Sequence, residues 1–245
     1  MDKTQLDEMT KLCRDLIYSS RLSDSRVFQL AGHIWNQLIE GRPVSPQQVA
    51  QFTTRVGLSS SMANWLLANR SERDHQGNIL GLFGLSLVTH PHQFLVNGQT
   101  LFTWCAIDAL LYPPLLEKTA HVESRCPITH EKVRLTITPE RVEWVDPPSA
   151  MVSMVLPDTP QRCWETVDEI QAGFCQHVRL FTSSQAVVQW GSHSDQNLAA
   201  LTIVEAEQLV RMVLEEVGKN TQDFRFSPDP PDSHSCLQPK TGPGT

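Results

Sequence analysis

Thiols and carboxylates are the groups in this sequence with the most chemistry to offer. Cys105 and Asp108 stand three residues apart in a stretch that reads as a short helix, so their side chains share a face. A carboxylate within reach can take the thiol proton as a general base, while its own charge holds the thiol pKa up unless a cation offsets it. The pair makes most chemical sense when an electrophilic metal arrives, although a buried cysteine beside a capping aspartate would carry the same letters. Cys175 and His177 lie two apart on a stretch read as a strand, Phe174–Phe181, and so face one side. Cys126 and His130 form a Cys-x3-His turn, and with Cys175 and His177 they could assemble into a tetrahedral zinc site. Zinc accepts mixed nitrogen and sulfur donors, whereas a softer heavy metal wants two or three thiolates. Phosphate-cradling, dinucleotide-binding and HExxH motifs are absent, and Gly84-Leu85-Ser86-Leu87-Val88 lacks the second glycine of a nucleophile elbow.

The cysteines at 13, 105, 126, 163, 175 and 236 are irregularly spaced with no CxxC pair. That argues against a disulfide framework or a four-cysteine zinc ribbon and for free thiols in a reducing, cytoplasmic setting. Lys and Arg number 20 against 27 Asp and Glu, a net charge of −7 that offers polyanions no general attraction, so nucleic acid is not an expected partner. Met1–Gln5 shows no basic-then-apolar signal, and the apolar stretch Trp104–Tyr112 is short and broken by Asp108, so no membrane is expected either.

The elements that must hold these groups suggest an α+β fold. Leu6 to Ile17 and Val27 to Ile39 repeat at helical spacing, the second run closing at Gly41. Ser45-Pro46-Gln47-Gln48 opens a further helix that ends at Gly57, and the serine-capped Ser60–Asn69 follows without a single Lys or Arg. Asn78–Val88 has period-two character, and Asn97-Gly98 marks a tight hairpin between Gln93–Val96 and Gln99–Phe102. Helices followed by a β-ribbon predict an N-terminal winged-helix-like domain over residues 1–100. Residues 101–219 read as a mostly antiparallel sheet with flanking helices. It begins with a helix over Trp104–Leu116, stopped by Pro113-Pro114, with Tyr112 already leaving helical geometry. Strands are expected at His121–Ser124, Lys132–Thr138, Arg141–Val145, Met151–Leu156 and Phe174–Phe181, and Thr202 with Glu205 boxes the start of a last helix. The proline-rich residues 220–245 read as a disordered tail.

Several collinear motifs resemble the organomercurial (alkylmercury) lyase family. Leu101–Leu110 with Tyr112-Pro113 resembles its signature, and Thr119–Cys126, Leu135–Pro139, Met154–Pro157 and Phe174–Val178 extend the match. Upstream, Gly41–Ser45 and Asp74–Gly81 resemble the family's helical domain, so the likeness runs over roughly residues 30 to 215. The resemblance implies protonolytic cleavage of carbon–mercury bonds to a hydrocarbon and Hg(II), in mercury detoxification. It implies that Cys105 and Cys175 bind the mercury and that Asp108 shuttles the proton and completes the metal's coordination. Cys126 matches a further family cysteine and reads as structural. Where some members have adjacent cysteines, this chain has Cys175-Gln176. The resemblance implies no cofactor beyond substrate-derived mercury. Its partners would be the organomercurial, small thiols that release the product, and a mercuric reductase as Hg(II) acceptor. Two other readings share the residues: a winged-helix regulator sensing a soft metal through Cys105, Cys126 and Cys175, and a zinc-binding interaction module built on Cys126, His130, Cys175 and His177.

Overall fold

The fold is taken from a computed structural model, which describes residues 3–156, 164–194 and 196–223. Cys163, Cys236 and all of the expected tail beyond residue 223 lie outside the described residues. In chain order the elements are α1 (Lys3–Ser19), α2 (Ser25–Leu38), α3 (Pro46–Val56), α4 (Ser60–Arg70), β1 (Ser71–Arg73), β2 (Ile79–Leu82), β3 (Leu85–Ser86), β4 (His92–Val96), β5 (Gln99–Thr103), α5 (Ala106–Leu116), β6 (Ala120–Arg125), β7 (Lys132–Ile137), β8 (Val142–Asp146), β9 (Met151–Val155), α6 (Val167–Gly173), a 3-10 turn at Cys175–His177, β10 (Leu180–Phe181), α7 (Ser184–Gly191), β11 (Leu198–Thr202) and α8 (Ile203–Asp223).

The N-terminal helices begin and end where their sequence dictates. Ser45 accepts from the Gln48 N–H while the Gln48 side chain reaches back to the Ser45 N–H, and Gly57 closes α3 at φ 68°. Helix α2 turns Val27, Leu30, Ile34, Trp35 and Leu38 inward, each such burial stabilising by roughly 1.5–3 kcal/mol. Helix α4 extends one residue past the uncharged segment to Arg70, whose guanidinium is itself buried. It donates to Ser20 Oγ at 2.9 Å and to the Asn69 carbonyl at 2.8 Å, tying α4 to the end of α1.

Two antiparallel sheets carry the rest, which makes the molecule α+β with mostly antiparallel strands, as expected. Among the described residues the larger sheet has the order β1-β2-β3-β5-β4-β6-β7-β8 and the smaller β10-β9-β11. The hairpin at Asn97-Gly98 is present, with φ of 51° and 73° at the two turn residues. The ribbon it closes is not a free wing. β4 pairs along its other edge with β6, Phe94 opposite Val122, so its outer N–H and C=O groups are satisfied within the sheet. The junction expected between residues 100 and 101 accordingly falls inside β5, which hydrogen-bonds to β3 and β4.

Two further expectations are corrected. Helix α5 runs through Pro113 and Pro114 to Leu116, with Glu117 in the left-handed region as its cap. Missing proline donors cost intrahelical bonds to the Ala109 and Leu110 carbonyls, but buried Ile107, Ala109, Leu110 and Tyr112 hold the helix against the sheet. Phe174–Phe181 is not one strand: it starts as a 3-10 turn and only Leu180–Phe181 pairs, with β9. Helices α6 and α7 and strand β11 are not among the expected elements, although Thr166 and Glu169 box the start of α6 and Ser183 caps α7; the Thr202–Glu205 box at the head of α8 is formed as expected.

Candidate active site

Helix α5 begins in an unusual way. Its N-cap is Cys105, a position ordinarily held by Ser, Thr, Asp or Asn. The Cys105 N–H donates to Asp108 Oδ2 at 3.0 Å and the Asp108 N–H donates to Cys105 Sγ at 3.4 Å, a capping box with sulfur in place of a hydroxyl. The exposed N–H groups of a helix start favour negative charge, so the sulfur sits where a thiolate is best tolerated.

Cys175 arrives from a turn held against the smaller sheet. Helix α6 ends at Gly173, and the 3-10 turn after Phe174 is pinned by Ser153 of β9, which donates to the His177 carbonyl and accepts from the Arg179 N–H at 2.9 Å. The Val178 carbonyl then accepts from the Ala106 N–H at 3.0 Å, clipping this segment to the first residue of α5. One ligand atom from each of Cys105, Asp108 and Cys175 consequently lies within 4.8 Å of the others. Among the described residues this is the one group of three or more His, Cys, Asp or Glu so arranged. Both thiols are buried, at 1% and 4% exposure.

His177, expected on the same face as Cys175, leaves it at the turn; its ring contacts Ser194 and Gln176. Cys126 belongs to a separate small core with Phe181, Ala186 and Val187, its sulfur accepting from the Thr129 N–H at 3.5 Å. The four-residue zinc arrangement of Cys126, His130, Cys175 and His177 is therefore not assembled among the described residues, because the turn separates Cys175 from His177 and the fold separates both from Cys126. Trp104 and Phe174, each next to one of the two cysteines in the chain, are buried.

Gly84 is the site residue that sequence reasoning missed. It sits in the two-residue turn joining β2 and β3, at φ 101°, and a Cβ there would lie 2.5 Å from Asp108 Cγ. The turn is fastened from two sides: Tyr112 Oη donates to the Phe83 carbonyl at 2.8 Å, and Trp35 Nε1 of α2 donates to the Leu82 carbonyl at 3.1 Å. Phe83 is held at φ 55°, a strained setting for an aromatic residue. Its only sequence signal is a glycine after an aromatic in a period-two run; nothing local points to Asp108.

Burial dominates the electrostatics. It pushes the Asp108 carboxyl from 3.8 up to about 7, against the opposing hydrogen bonds with Cys105 and the more distant pull of His90. Cys105 is raised well above the ordinary thiol value by burial, then by its hydrogen bond with Cys175 and by the Asp108 charge. For Cys175 the hydrogen bond with Cys105 acts downward, yet burial and Asp108 leave it raised. Both sulfurs thus rest as thiols, beside a carboxyl whose pKa is raised but stays below theirs.

A family model described as alkylmercury lyase matches residues 85–215. An alkylmercury lyase of Pseudomonas putida is 42% identical over 158 residues, covering 64% of this chain and 69% of that protein. The chain belongs to the alkylmercury lyase family. The alkylmercury lyase of Streptomyces lividans is 37% identical over 187 residues, covering 74% of this chain and 82% of the relative. In fold the chain is similar to the crystal structure of the mercury-bound form of MerB2, with a TM-score of 0.67 at 21% identity over 86% of this chain and 99% of that one. Cys105, Asp108 and Cys175 all fall inside the segment matched by the lyase family model, whereas Gly84 and helices α1–α4 precede it.

Proposed function

We propose that this alkylmercury lyase family member cleaves the carbon–mercury bond by protonolysis, with Cys105 and Cys175 as the two mercury-binding thiols and Asp108 as the proton carrier. The observation that carries this reading is the meeting of two buried thiols and one carboxylate, from the start of α5 and the remote Cys175 turn, within 4.8 Å. A carbon–mercury bond is nearly nonpolar, so it breaks when electron density is pushed onto carbon while an acid stands ready. For R–Hg–X, one thiol displaces X, which leaves with the thiol proton. Asp108 takes the proton of the second thiol, and the second sulfur then joins mercury. Two thiolate donors weaken the bond to R, Asp108 delivers its proton to carbon, R–H departs, and Hg(II) stays on the two sulfurs. A carboxyl with a pKa of about 7 both accepts and returns a proton near neutrality.

The four described cysteines are free thiols, which supports a reducing, cytoplasmic setting. Among the described residues no helix is long and apolar enough to cross a membrane. Two thiolates hold Hg(II) tightly, so small thiols or a mercuric reductase are the partners we infer for product removal. The winged-helix likeness of residues 1–100 rests on helix and ribbon order alone. The ribbon's place in the sheet and the hold of Trp35 on the Leu82 carbonyl suit a supporting wall of the site better than a separate DNA-reading unit.

Benzene release from phenylmercury, with excess small thiol present, tests the reading. Cys105→Ser and Cys175→Ser are each expected to lose about a thousandfold or more in turnover, as residues acting as one unit do. Near-normal turnover in either variant rejects the two-thiol scheme. Full activity of Asp108→Asn eliminates the proton carrier.

A further inference from the structure

We propose that Glu72 is a positioning residue that docks the Cys175 segment onto the sheet, acting through Gln171. The proposal rests on the two-thiol reading above. Glu72 lies in β1, the outermost strand of the larger sheet among the described residues, where a carboxylate would ordinarily turn to water. Instead its side chain is only 16% exposed. Glu72, Gly81 and Ser86 stand in one row across β1, β2 and β3, Glu72 opposite Gly81 and Gly81 opposite Ser86. Side chains in such a row share a face, and the glycine leaves the middle of it open. A Cβ at Gly81 would collide with the Glu72 carboxylate and with Ser86 Oγ, so the carboxylate reaches across it to accept from the Ser86 hydroxyl.

The carboxylate has two further partners, and they give the row its consequence. His90 Nε2 meets Oε1 at 2.8 Å, and Gln171 Nε2 donates to the same oxygen at 3.2 Å. Gln171 sits in α6, four residues before Cys175. That helix has only seven residues and a single buried one, Ile170, so its own packing fixes it weakly and a hydrogen bond to a charged acceptor weighs heavily. Gln171 thus links the edge of the sheet that carries Gly84 to the short helix that ends at Cys175. The buried indole N–H of Trp104, next to Cys105, falls short of a hydrogen bond but lies close enough to the Glu72 carboxyl to favour its ionised form. Burial opposes that charge, but the hydrogen bonds with His90 and Ser86 prevail. One carboxylate therefore faces both cysteine-bearing segments without being in the trio itself.

The test uses the full chain with Glu72→Gln, Gln171→Ala and the double variant. Two quantities are measured: kcat and KM for benzene release from phenylmercury, and retention of stoichiometric Hg(II) against competing glutathione, read from thiolate-to-mercury absorption in the near ultraviolet. Each single variant is expected to lower kcat about tenfold, the penalty of a misplaced reacting group, with KM changed less, and to surrender Hg(II) at lower glutathione. The double variant is expected to be no worse than Glu72→Gln, because both changes cut one connection. Wild-type kcat and Hg(II) retention in either single variant overturn the proposal, as does a double variant whose losses multiply. A lowered melting temperature with kcat and Hg(II) retention intact overturns it too, leaving Glu72 a purely structural residue. Hg(II) retention needs no turnover, so a wild-type protein that released no benzene would reject the lyase reading while this arm still decided the role of Glu72.

Discussion

Replacing Asp108 with Asn is expected to make the protein more stable at alkaline pH while stopping hydrocarbon release. Asn keeps the carbonyl oxygen that accepts from the Cys105 N–H, so the start of α5 survives and only the ionisable proton is lost. In the unfolded chain the carboxyl titrates near 3.8, in the folded protein near 7. A raised acid pKa means that the folded state resists ionisation. Between about pH 4 and 7 the folded wild type holds more protons than the unfolded chain, and its stability falls as pH rises through that window. The displacement corresponds to roughly 4 kcal/mol at 1.36 kcal/mol per pH unit, and to about 2–4 kcal/mol once partial access of water to the carboxyl is allowed for. The cysteines, with raised pKa values, stay neutral through the window and add nothing. Urea unfolding of both proteins, at steps from pH 4 to pH 8, gives the comparison. The stability difference should be near zero at pH 4, grow across the window and level off above pH 7 in favour of Asn. A difference that does not vary with pH, or a wild type more stable at pH 8, would refute the claim that Asp108 is held in a desolvated, strained ionisation state.

Three other outcomes follow from the same geometry. Because Asp108 must be ionised to take a thiol proton, kcat/KM for phenylmercury should rise up to tenfold per pH unit below about 7 and flatten above it; a profile flat from pH 5 to 8 would contradict that. Gly84→Ala places a methyl 2.5 Å from Asp108 Cγ at φ 101°, and should cost roughly 1–3 kcal/mol of stability and about 10- to 100-fold in kcat, measured together by melting and benzene release. Tyr112→Phe removes the donor to the Phe83 carbonyl and should destabilise by about 1–3 kcal/mol in urea titration, with a smaller loss of kcat as the turn over Asp108 loosens.

What could be read from the sequence was whatever is settled within a few residues. The Ser45–Gln48 box, the Asn97-Gly98 hairpin, the Thr202–Glu205 box and the three-residue spacing of Cys105 and Asp108 all depend on local geometry, and all are formed. Cys175 was placed on a strand because alternation over Phe174–Phe181 fits a strand, yet its backbone is bent by Ser153, more than twenty residues upstream. The same non-local control undid the reading of Pro113-Pro114 as a helix stop: a proline's local penalty was outweighed by tertiary burial along α5. Gly84 and Glu72 carry no chemical signal in their own neighbourhoods, since one matters through the space it leaves for Asp108 and the other through a partner 99 positions away.

The sulfur cap on α5 has one more implication. Lone pairs on Cys105 Sγ receive the Asp108 amide in the resting protein, and they are the pairs a mercury ion would claim. On the proposed reading, mercury on Cys105 would compete for the sulfur that caps the helix, so amide hydrogen exchange at Asp108 is expected to differ between the loaded and the empty protein. A hydroxyl cap would leave the scaffold indifferent to the metal; on the proposed reading a thiol cap would couple the two.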